Sequence, residues 1–404
     1  MVVEVDADES SAGEDAAGAL TGAEVEQCLV VELSDGEGNG ERRTAVADVS
    51  LVGRSEVGDE VIVNVEALDL RLGSGGFDIV HANLTRGLRG DGGAGGHVMK
   101  LNYTSLQHSV MPVEDARLEL PVARPVAVLA LHGQLAAVAW AFAQSSPAGR
   151  LGYVQTEGGA LPGGHSRTVR ALRRSGLLAG HLTAGAAFGG EGEAITTAGA
   201  LHHGLRALDW DAAVCGPGPG IVGSSSALGH GGMGALDSAH VALALGCPTL
   251  LVARMSTSDD RERHRGISHH TLTVLDLLLE PVTVALPAGM RSPVGADLRA
   301  GLGAIFAGAA AGTGAGASAS ASAGAGAGRP ALALDVERPV RITRHDWRRA
   351  AVDLPAYAAS GLPTETMGRG LMEDPLFFGA ALAGGTALAE LTAQAEPEEG
   401  TGEG

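Results

Sequence analysis

The sequence predicts an α/β fold in which a doubly wound, mostly parallel sheet follows a small N-terminal β-barrel or sandwich domain. Two patterns carry this prediction. From about residue 97, short apolar strands alternate with helical segments, and strands buried on both faces are typical of parallel sheets whose crossover helices cover both sides. Before residue 97, shorter β-branched runs are separated by Gly/Asp turns, which is typical of antiparallel pairing.

The small β domain is predicted over residues 25–96. Gly58 and the run Gly73–Gly76 stand between its strands, where positive φ costs glycine little, so they predict tight turns. A phosphate-binding loop is the alternative for these glycines. The predicted β-branched runs are 29–31, 44–46, 61–65 and 77–80.

The α/β domain is predicted over residues 97–306 and is completed by residues 329–389. Its strands are predicted at 125–131, 151–155, 178–183, 211–215, 249–253 and 282–286. Its helices are predicted to end near 144 and to span 166–174, 193–208, 234–245 and 269–278. Residues 340–343 predict an edge strand, and a C-terminal helix that begins after Asp374 is predicted to pack on the body of the domain.

Three segments of biased composition are predicted to be disordered. They are an acidic arm over residues 1–24, an Ala/Gly/Ser-rich insert over 307–328 and a Glu-rich tail over 390–404. The formal charge of −19 comes mostly from the two ends, since residues 1–41 contain 12 Asp/Glu and no Lys/Arg, and residues 390–404 contain 5 Glu. The rest of the chain has 30 acidic and 28 basic residues and is close to neutral.

Composition excludes several classes of partner. A nearly neutral body argues against nucleic acid, which requires a basic surplus. Cys28, Cys215 and Cys247 form no CxxC pair, which argues against a disulfide framework and a thiolate zinc site. Residues 300–328 have too few bulky apolar side chains for a membrane helix, and the N-terminus lacks signal-peptide features. We therefore expect a cytoplasmic protein without a nucleic-acid or membrane partner, and a homodimer stays open.

The loop after the strand at 211–215 is the first candidate for a binding site. In an open parallel sheet, ligands bind beyond the carboxyl ends of the strands. Interleaved Gly and Pro allow close backbone approach in a stiff loop, and serines add hydroxyl donors, so this loop predicts anion binding, with a structural turn as an equal alternative. The candidate ligand-binding residues are Gly216, Gly218, Gly220, Gly223, Ser224 and Ser225.

The loop at 256–271 is the second candidate. Ser268 predicts the N-cap of a helix that begins with His269 and His270. The helix dipole disfavours protonated histidine at that position, so either ring is a candidate catalytic base. Arg265 is predicted to neutralise the charge of a ligand, and His264 is a further candidate ligand-binding residue. The alternative is a solvated, charged loop.

Two further strand ends carry candidate residues. His132 follows the strand at 125–131 and is predicted to bind the ligand. Glu157 follows the strand at 151–155 and is predicted to orient the catalytic histidine or to hold a cation. All these roles require the glycine-rich loop and the paired histidines to lie at the same rim of the sheet.

Histidine content raises the possibility of a metal site, because 12 of the 14 histidines lie between His97 and His270. No H-x-x-x-H or H-E-x-x-H pair occurs, and consecutive histidines on a helix point about 100° apart. We therefore assign no metal ligands and no cofactor. Cys215 is expected to be a buried apolar side chain rather than a nucleophile. A metal site that the fold assembles from distant residues stays open, with the candidates Glu157, His181, Glu191 and His269.

The loops taken together resemble the actinobacterial branch of DUF3866, an uncharacterised bacterial family. The resemblance covers residues 28 to 385, apart from the insert, and implies no reaction. The segments that carry it are Leu70–Val80 (LRLGSGGFDIV), Gly96–Leu106 (GHVMKLNYTSL), Gly216–Gly223 (GPGPGIVG), His264–Leu275 (HRGISHHTLTVL), Met367–Gly370 and Glu373–Pro375.

Three functional hypotheses follow. The first is an enzyme that acts on a small anionic metabolite with His269 or His270 as base; a metal-dependent hydrolase is one form of it. The second is a non-catalytic ligand sensor or adaptor. The third is a structural subunit of a complex. Ligand stabilisation with turnover would favour the first, and stabilisation without turnover the second.

Overall fold

A small mixed sheet is formed by the first five strands of the chain. The computed structural model describes residues 1–5, 26–34, 40–70, 76–87, 95–114, 117–159, 162–289 and 344–395. The strands lie in the order β1-β2-β3-β5-β4, and β3 and β5 pair in parallel whereas the other neighbours are antiparallel. The elements are β1 (Val2–Val5), β2 (Glu26–Glu32), β3 (Arg42–Asp48), α1 (Val49–Val52), β4 (Val61–Asn64), α2 (Glu66–Asp69) and β5 (Asp78–Asn83).

Two predictions for this region are corrected. Val2–Val5 form β1 and pair with β2, and Val2 is buried, so the first residues of the predicted arm over 1–24 are part of the sheet. Their valines fit a strand, although the acidic residues that follow dominate the composition. Residues 6–25 lie outside the described residues. The strands form one mixed sheet rather than an antiparallel one, and the predicted barrel is not confirmed.

The larger α/β unit follows a short hairpin. Its strands, with that hairpin, are β6 (Val98–Lys100), β7 (His108–Val110), β8 (Val126–Leu129), β9 (Leu151–Thr156), β10 (Gly180–Ala184), β11 (Gly192–Ala194), β12 (Ala212–Pro217), β13 (Thr249–Val252), β14 (Met255–Ser256), β15 (Gly266–Ile267), β16 (Thr283–Pro287), β17 (Asp346–Ala350), β18 (Glu365–Thr366) and β19 (Arg369–Gly370). Its helices are α3 (Leu135–Ser145), α4 (Arg167–Arg174), α5 (Thr197–His202), α6 (Gly234–Ala244), α7 (His269–Leu277), α8 (Leu354–Ala358) and α9 (Pro375–Ala395).

The eight-stranded sheet of this unit is parallel throughout. Its strand order is β11-β10-β9-β12-β8-β13-β16-β17, which confirms the predicted doubly wound parallel sheet. From β8 the chain continues through β9 and β10 to β11 at one edge of the sheet. It then returns to form β12 between β9 and β8, and continues through β13 and β16 to β17 at the other edge. The neighbours β12 and β8 therefore send the chain in opposite directions, and in sheets of this kind the carboxyl ends of two such strands are the usual place for a ligand.

Helices cover both faces of the sheet. Val126 and Val128 of β8 belong to the core beneath α5, α6 and α7, and Ala127 and Leu129 belong to the core beneath α3, α4 and α9. Burial on both faces explains why these strands are apolar without alternation. The edge strand β17 spans Asp346–Ala350, whereas the sequence predicts it at 340–343, which lie outside the described residues.

The C-terminal helix α9 is an internal element of this unit. It is 21 residues long with a mean hydropathy of 1.4 over its most apolar window, so it could cross a membrane by length and composition, but 83% of that window is buried inside the protein. A Cβ at Gly385 would lie 2.2 Å from the carbonyl oxygen of Val138 on α3, so the glycine lets the two helices touch. This burial is that of a core helix in a soluble protein. The helix continues beyond residue 390 of the predicted tail, and residues 307–328 and 396–404 lie outside the described residues.

An ion pair and a histidine–carboxylate contact connect the small sheet to the α/β unit. Arg170 Nη1 lies 2.6 Å from Glu26 Oε2, and His165 Nε2 lies 3.1 Å from Asp48 Oδ2. Lys100, which is the only lysine, is also buried, and it anchors the β6-β7 hairpin through hydrogen bonds from Nζ, including one of 2.6 Å to the carbonyl oxygen of Ala187. These contacts hold the N-terminal third of the chain at the β10 and β11 side of the sheet.

Asp59 makes the stability of the small sheet depend on acid pH. Its carboxylate accepts hydrogen bonds from Arg86 Nε at 2.5 Å and Asn83 Nδ2 at 2.9 Å, and the bond from Arg86 lowers its pKa to about 2. A lowered folded-state pKa gives stability that is fully present above about pH 4 and lost as pH falls towards 2. Asp59→Asn should flatten that part of a pH–unfolding profile, whereas Glu60→Gln, at an exposed position, should not. An unchanged acid limb in Asp59→Asn would contradict this assignment.

Candidate functional site

Four buried imidazoles meet beyond the carboxyl ends of β12 and β13. We call His230, His264, His269 and His270 the histidine cluster. The rings of His230 and His270 stack, with centroids 3.5 Å apart and an angle of 10° between the planes. The ring of His264 lies 4.9 Å from those of His269 and His270. None of the four side chains is more than 6% exposed, so the cluster is an internal polar site.

The loop after β12 carries His230 into the cluster. Gly223 pairs with His230 through an isolated antiparallel bridge. Ser224 Oγ donates to the carbonyl oxygen of Gly229 at 2.7 Å, and Ser226 Oγ accepts from Gly229 N at 2.7 Å. The serine hydroxyls therefore close the loop on itself. The glycine-rich loop and the paired histidines lie at the same rim of the sheet, as the site hypothesis requires.

Gly232 permits the stacking of two histidine rings. A Cβ at this position would lie 3.1 Å from His230 Nδ1 and 3.2 Å from His270 Nδ1. Any other residue would press on both rings. The two Nδ1 atoms therefore flank the same point of the backbone.

Ser268 caps α7, as predicted. Its Oγ accepts a hydrogen bond from His270 N at 3.2 Å and lies 2.8 Å from His264 Nδ1. The cap fixes the first turn of the helix and at the same time holds the ring of His264 against it. One serine thus orients three of the four rings.

A buried arginine touches the cluster. Arg254, 3% exposed, follows β13, and its Nη1 lies 3.0 Å from His270 Nδ1. Because a guanidinium stays protonated in proteins, Nη1 donates and the lone pair of His270 Nδ1 accepts. Burial lowers the pKa of Arg254 to about 10, which leaves the side chain positively charged at neutral pH.

Asp259 is the shared counter-ion of three arginines. Its carboxylate oxygens lie 3.4 Å from Arg254 Nη2, 2.9 Å from Arg261 Nε and 3.0 Å from Arg369 Nη2. Asp259 is itself 1% exposed. Burial alone would raise the pKa of Asp259, but the hydrogen bonds from Arg261, together with the positive charges of Arg261 and Arg369, hold this pKa well below its ordinary value.

Asp374 adds a second buried carboxylate beside this group. It accepts from Ser256 Oγ at 2.5 Å and from Thr257 N at 2.9 Å, and it lies 3.3 Å from Arg369 Nε. The connected group therefore contains three guanidinium groups and two carboxylates. The formal net charge of this group is therefore +1, although each arginine has a carboxylate partner.

Burial keeps the imidazoles neutral. It lowers the pKa of His264 to about 3, of His269 to about 4 and of His270 to about 2, and the positive charge of Arg254 acts in the same direction. Neutral rings were expected from the helix dipole, but desolvation is the larger cause. At neutral pH each ring offers one N–H donor and one lone pair. A pKa near 4 also makes His269 a weak base at pH 7 before any ligand binds.

His132 belongs to a separate polar cluster. Its Nε2 lies 2.8 Å from Ser166 Oγ, and its Nδ1 lies 3.3 Å from Tyr153 Oη. The ring of Tyr153 stacks on His181 at 5.2 Å. Burial lowers the pKa of His132 to about 4 and of His181 to about 3. Each of these four side chains is buried, so His132 contributes to internal packing at the ends of β8, β9 and β10.

The glycine-rich loop spans the two clusters. The carbonyl oxygen of Gly216 accepts from Tyr153 Oη at 3.2 Å, so the loop begins at the His132 side. A Cβ at Gly218 would lie 2.4 Å from Gln155 Nε2, and Gly220 has a φ of +84°, so both positions favour glycine. Ser225 is exposed at the far end of the loop. The backbone geometry of the loop therefore explains glycine at Gly218 and Gly220 without a ligand, and the predicted anion-binding role is not needed to explain them.

Two predicted roles are corrected by position. Glu157 is exposed at the end of β9, where a Cβ at Gly185 would lie 3.1 Å from its Oε2. Since β12 and β8 lie between β9 and β13, about 14 Å separates Glu157 from the strand that leads to His269, too far to orient that ring. Arg265 is exposed, and its Nε donates to the carbonyl oxygen of Asp259 at 2.9 Å. The buried cation at the cluster is Arg254.

Cys215 lies in the core of the sheet with no exposed surface. Burial raises the pKa of its thiol to about 12. The side chain is therefore an apolar core group, as expected, and not a nucleophile.

The fold brings together a different set of potential metal ligands from the one considered above. Glu191 pairs with Arg173 at 2.6 Å and accepts from His181 N at 3.1 Å, and Glu157, His181 and Glu191 stand apart from His269. Among the described residues, a set of three suitable ligands is formed by the cluster itself. One ring nitrogen from each of His230, His269 and His270 lies within 4.8 Å of the others.

Five residues of the site were not identified from the sequence: His230, Arg254, Asp259, Arg369 and Asp374. His230 is followed by two glycines in a strand-exit loop, and Arg254 ends an apolar strand, so both carried a usable local signal. Arg369 and Asp374 lie more than 100 residues after Asp259 in the chain. Their contribution depends on the return of the C-terminal segment over the sheet.

Comparison with known families gives a match that covers residues 44–385 of the chain. The chain belongs to the DUF3866 family. This family is described as proteins of unknown function, so membership confirms the resemblance without assigning a reaction. Neither the curated proteins nor the solved structures contain a match to the chain.

Four of the six segments that carry the DUF3866 resemblance lie at the histidine cluster. Gly216–Gly223 begins the loop that holds His230, and His264–Leu275 supplies three of the four rings. Met367–Gly370 lies against the same site, since Met367 Sδ is 3.8 Å from Arg254 Nη2. The site is therefore built largely from the segments by which the chain resembles DUF3866.

Proposed function

We propose that this DUF3866 protein binds a small oxyanion-bearing metabolite, such as a phosphate or a carboxylate, beside the histidine cluster and acts on it as an enzyme. The observation that carries the proposal is the buried guanidinium of Arg254, which donates to His270 within a group that has one positive charge in excess. A buried charge without a full partner is costly. A bound anion would offset that cost.

The surroundings of Arg254 suit an oxyanion. The neutral imidazoles offer N–H donors, and the guanidinium offers a fork of donors that matches two oxygens of one phosphate or carboxylate. Arg261 and Arg369 have side chains 47% and 18% exposed, so the positive excess reaches the surface on that side and gives an anion a route to the site. The ligand would be small, since the rings are in contact.

The catalytic part of the proposal concerns His269 and His270. A bound anion stabilises the imidazolium form and raises the pKa of a neighbouring ring, so either histidine would become a better proton acceptor once the ligand is in place. We further propose a cytoplasmic location, which the three free cysteines support, and a protein that binds neither nucleic acid nor membranes.

The test compares thermal unfolding in inorganic phosphate and in chloride at equal ionic strength. We expect phosphate to raise the Tm of the parent protein, because a ligand of the native state stabilises it. Arg254→Met, which removes the charge at similar length, should abolish this rise. Arg265→Met, at the exposed arginine, should keep it. A phosphate response in Arg254→Met equal to that of the parent would reject the proposal.

Two further measurements complete this test. If Arg254→Met does not fold, Arg254→Lys keeps the charge, loses the paired donors, and should show a reduced phosphate response. Anionic metabolites that stabilise the parent are then incubated with it, and their consumption is measured. Turnover that is lost in His269→Ala and His270→Ala supports the enzyme, and stabilisation without turnover supports the alternative of a ligand sensor.

A further inference from the structure

We propose that His230, His269 and His270 bind one divalent transition-metal ion, of the zinc type, inside the histidine cluster. This inference deepens the proposed function and rests on it in one respect, because the oxyanion would take the coordination position that the three histidines leave open. Three protein ligands with one open position are the usual arrangement of a catalytic zinc site. With the ion bound, His269 and His270 would be metal ligands instead of proton acceptors, and the same centre would make the protein a metal-dependent hydrolase of its anionic substrate.

The spacing of the three rings fits a single ion after a small closure. One ring nitrogen of each histidine lies within 4.8 Å of the other two. In a tetrahedral zinc site with Zn–N distances of about 2.0–2.1 Å, ligand nitrogens are about 3.4 Å apart. The ligand nitrogens would therefore close by up to about 1.4 Å. For His230 and His270, whose rings already stack at 3.5 Å, this requires rotation of the rings about side-chain bonds so that the two lone pairs converge on the ion.

His230 directs a lone pair into the cluster. Its Nε2 lies 3.0 Å from the carbonyl oxygen of Ala227, and a carbonyl can only accept, so Nε2 carries the proton. Nδ1 is then the unprotonated nitrogen of the neutral ring. Nδ1 is buried and has no hydrogen-bond partner among the described residues. A histidine that binds metal through one nitrogen and donates from the other to a backbone carbonyl is the arrangement expected of a metal ligand.

His269 offers a second buried ring nitrogen to the ion. Its Nε2 is buried and has no hydrogen-bond partner in the described part of the chain, and its ring centroid lies 4.4 Å from that of His270. A buried polar atom left without a partner costs about 1–3 kcal/mol. Two such atoms in one three-histidine group are explained together by an ion that accepts both lone pairs.

His270 links the metal proposal to Arg254. Its Nδ1 accepts from Arg254 Nη1 at 3.0 Å, so the guanidinium occupies the lone pair that Nδ1 would offer. Binding of an ion through Nδ1 would release Arg254, which keeps Asp259 as its counter-ion. The guanidinium would then stand beside the open coordination position, where it can hold a metal-bound anion. Arg254 and the ion thus compete for His270 but cooperate in anion binding.

The donor set selects the class of ion. Three neutral imidazoles suit Zn²⁺, Co²⁺, Ni²⁺ and Cu²⁺. Mg²⁺ and Ca²⁺ prefer oxygen ligands, and the two buried carboxylates of the site, Asp259 and Asp374, are both engaged by arginine. We therefore expect Zn²⁺ to bind and Mg²⁺ not to bind.

The experiment measures metal binding without any metabolite. Untagged full-length protein is treated with EDTA, dialysed and titrated with Co²⁺, whose visible absorption reports tetrahedral coordination, and then with Zn²⁺ in competition. We expect one ion per chain in the parent protein. His230→Ala and His269→Ala should each weaken the affinity by more than about 100-fold, beyond the 10–100-fold typical of changes to groups that only support a ligand. His81→Ala, at an exposed histidine of the small sheet, should bind like the parent.

Several outcomes would overturn the inference. They are the absence of stoichiometric Co²⁺ binding in the parent, or binding in His230→Ala and His269→Ala that equals the parent. If either alanine variant does not fold, His230→Gln and His269→Gln replace it, since they keep most of the side-chain volume and remove the imidazole. A zinc-induced rise in Tm of the parent that Mg²⁺ does not reproduce is an independent requirement.

Arg254→Met separates the failure of the metal site from the failure of the proposed function. This variant frees the lone pair of His270 Nδ1 and removes a positive charge, so it should bind Co²⁺ at least as tightly as the parent while it loses the phosphate response. If the parent binds metal but shows no phosphate response, the metal site stands and the proposal of anion binding is rejected. If the parent shows a phosphate response but binds no metal, the metal site is rejected and the proposal of anion binding stands.

Discussion

Asp259→Asn should lower the free energy of unfolding by about 3–5 kcal/mol, the usual cost of removing one partner from a buried ion pair. The carboxylate is within 3.4 Å of three guanidinium groups. Arg261, about half exposed, can turn to solvent, but the side chain of Arg254 is 4% exposed and cannot. The substitution keeps the shape of the side chain, so the loss measures charge. Urea unfolding monitored by circular dichroism gives the value.

The control for this prediction is the next residue in the chain. Asp260 is exposed, and Asp260→Asn should change the unfolding free energy by less than about 0.5 kcal/mol. The proposed anion site adds a second readout. Asp259→Asn raises the positive excess of the site from one charge to two, so phosphate should stabilise this variant more than it stabilises the parent. If Asp259→Asn lowers the unfolding free energy no more than Asp260→Asn does, the burial of the arginines does not depend on the charge of Asp259.

The parallel sheet could be predicted because its signal is local. Six strands of the sheet, β8, β9, β10, β12, β13 and β16, are short runs buried on both faces, and such runs are mostly apolar whatever the strand order. The strand order depends on which helices pack together and has no local signal. For that reason, the sequence predicts that Glu157 and His269 lie at the same end of the sheet, but it does not predict how many strands separate them. The small sheet was predicted less well, since the parallel pairing of β3 and β5 depends on a connection that crosses the sheet.

The candidate site was predicted in part for the same reason. Ser268, His269 and His270 lie on one helix turn, so their placement follows from capping rules alone. The contact of His270 with His230 joins the start of α7 to the loop after β12, although β8 lies between β12 and β13 in the sheet. The contact of Asp259 with Arg369 joins residues more than 100 positions apart in the chain. The sequence predicts that Arg265 neutralises the charge of a ligand, whereas the guanidinium buried at the cluster is that of Arg254. Burial, which distinguishes the two arginines, is a property of the fold.

Gly152→Ala should destabilise the α/β unit by about 3 kcal/mol through a clash with one side chain. Trp210 is buried, and its indole lies on Gly152 of β9, Gly180 of β10 and Gly204. A Cβ at Gly152 would lie 1.8 Å from Trp210 Cε3, so the ring must move within a packed core. Overpacking of this kind costs about 1–3 kcal/mol, and sometimes more. Urea unfolding monitored by circular dichroism measures the effect, also in variants that lack this tryptophan.

A double-mutant cycle decides whether the clash is the cause. Trp210→Ala alone should cost about 3–5 kcal/mol, because it leaves a cavity. In the Trp210→Ala background, Gly152→Ala should cost little or be slightly stabilising, since the new methyl group fills part of that cavity. Gly234→Ala is the matched glycine control: no atom lies within 4 Å of its added Cβ, and it lies in the first turn of α6, where alanine is favoured over glycine by about 1 kcal/mol or less. An undiminished effect of Gly152→Ala without the tryptophan would place the strain in the strand itself rather than in its contact with the indole.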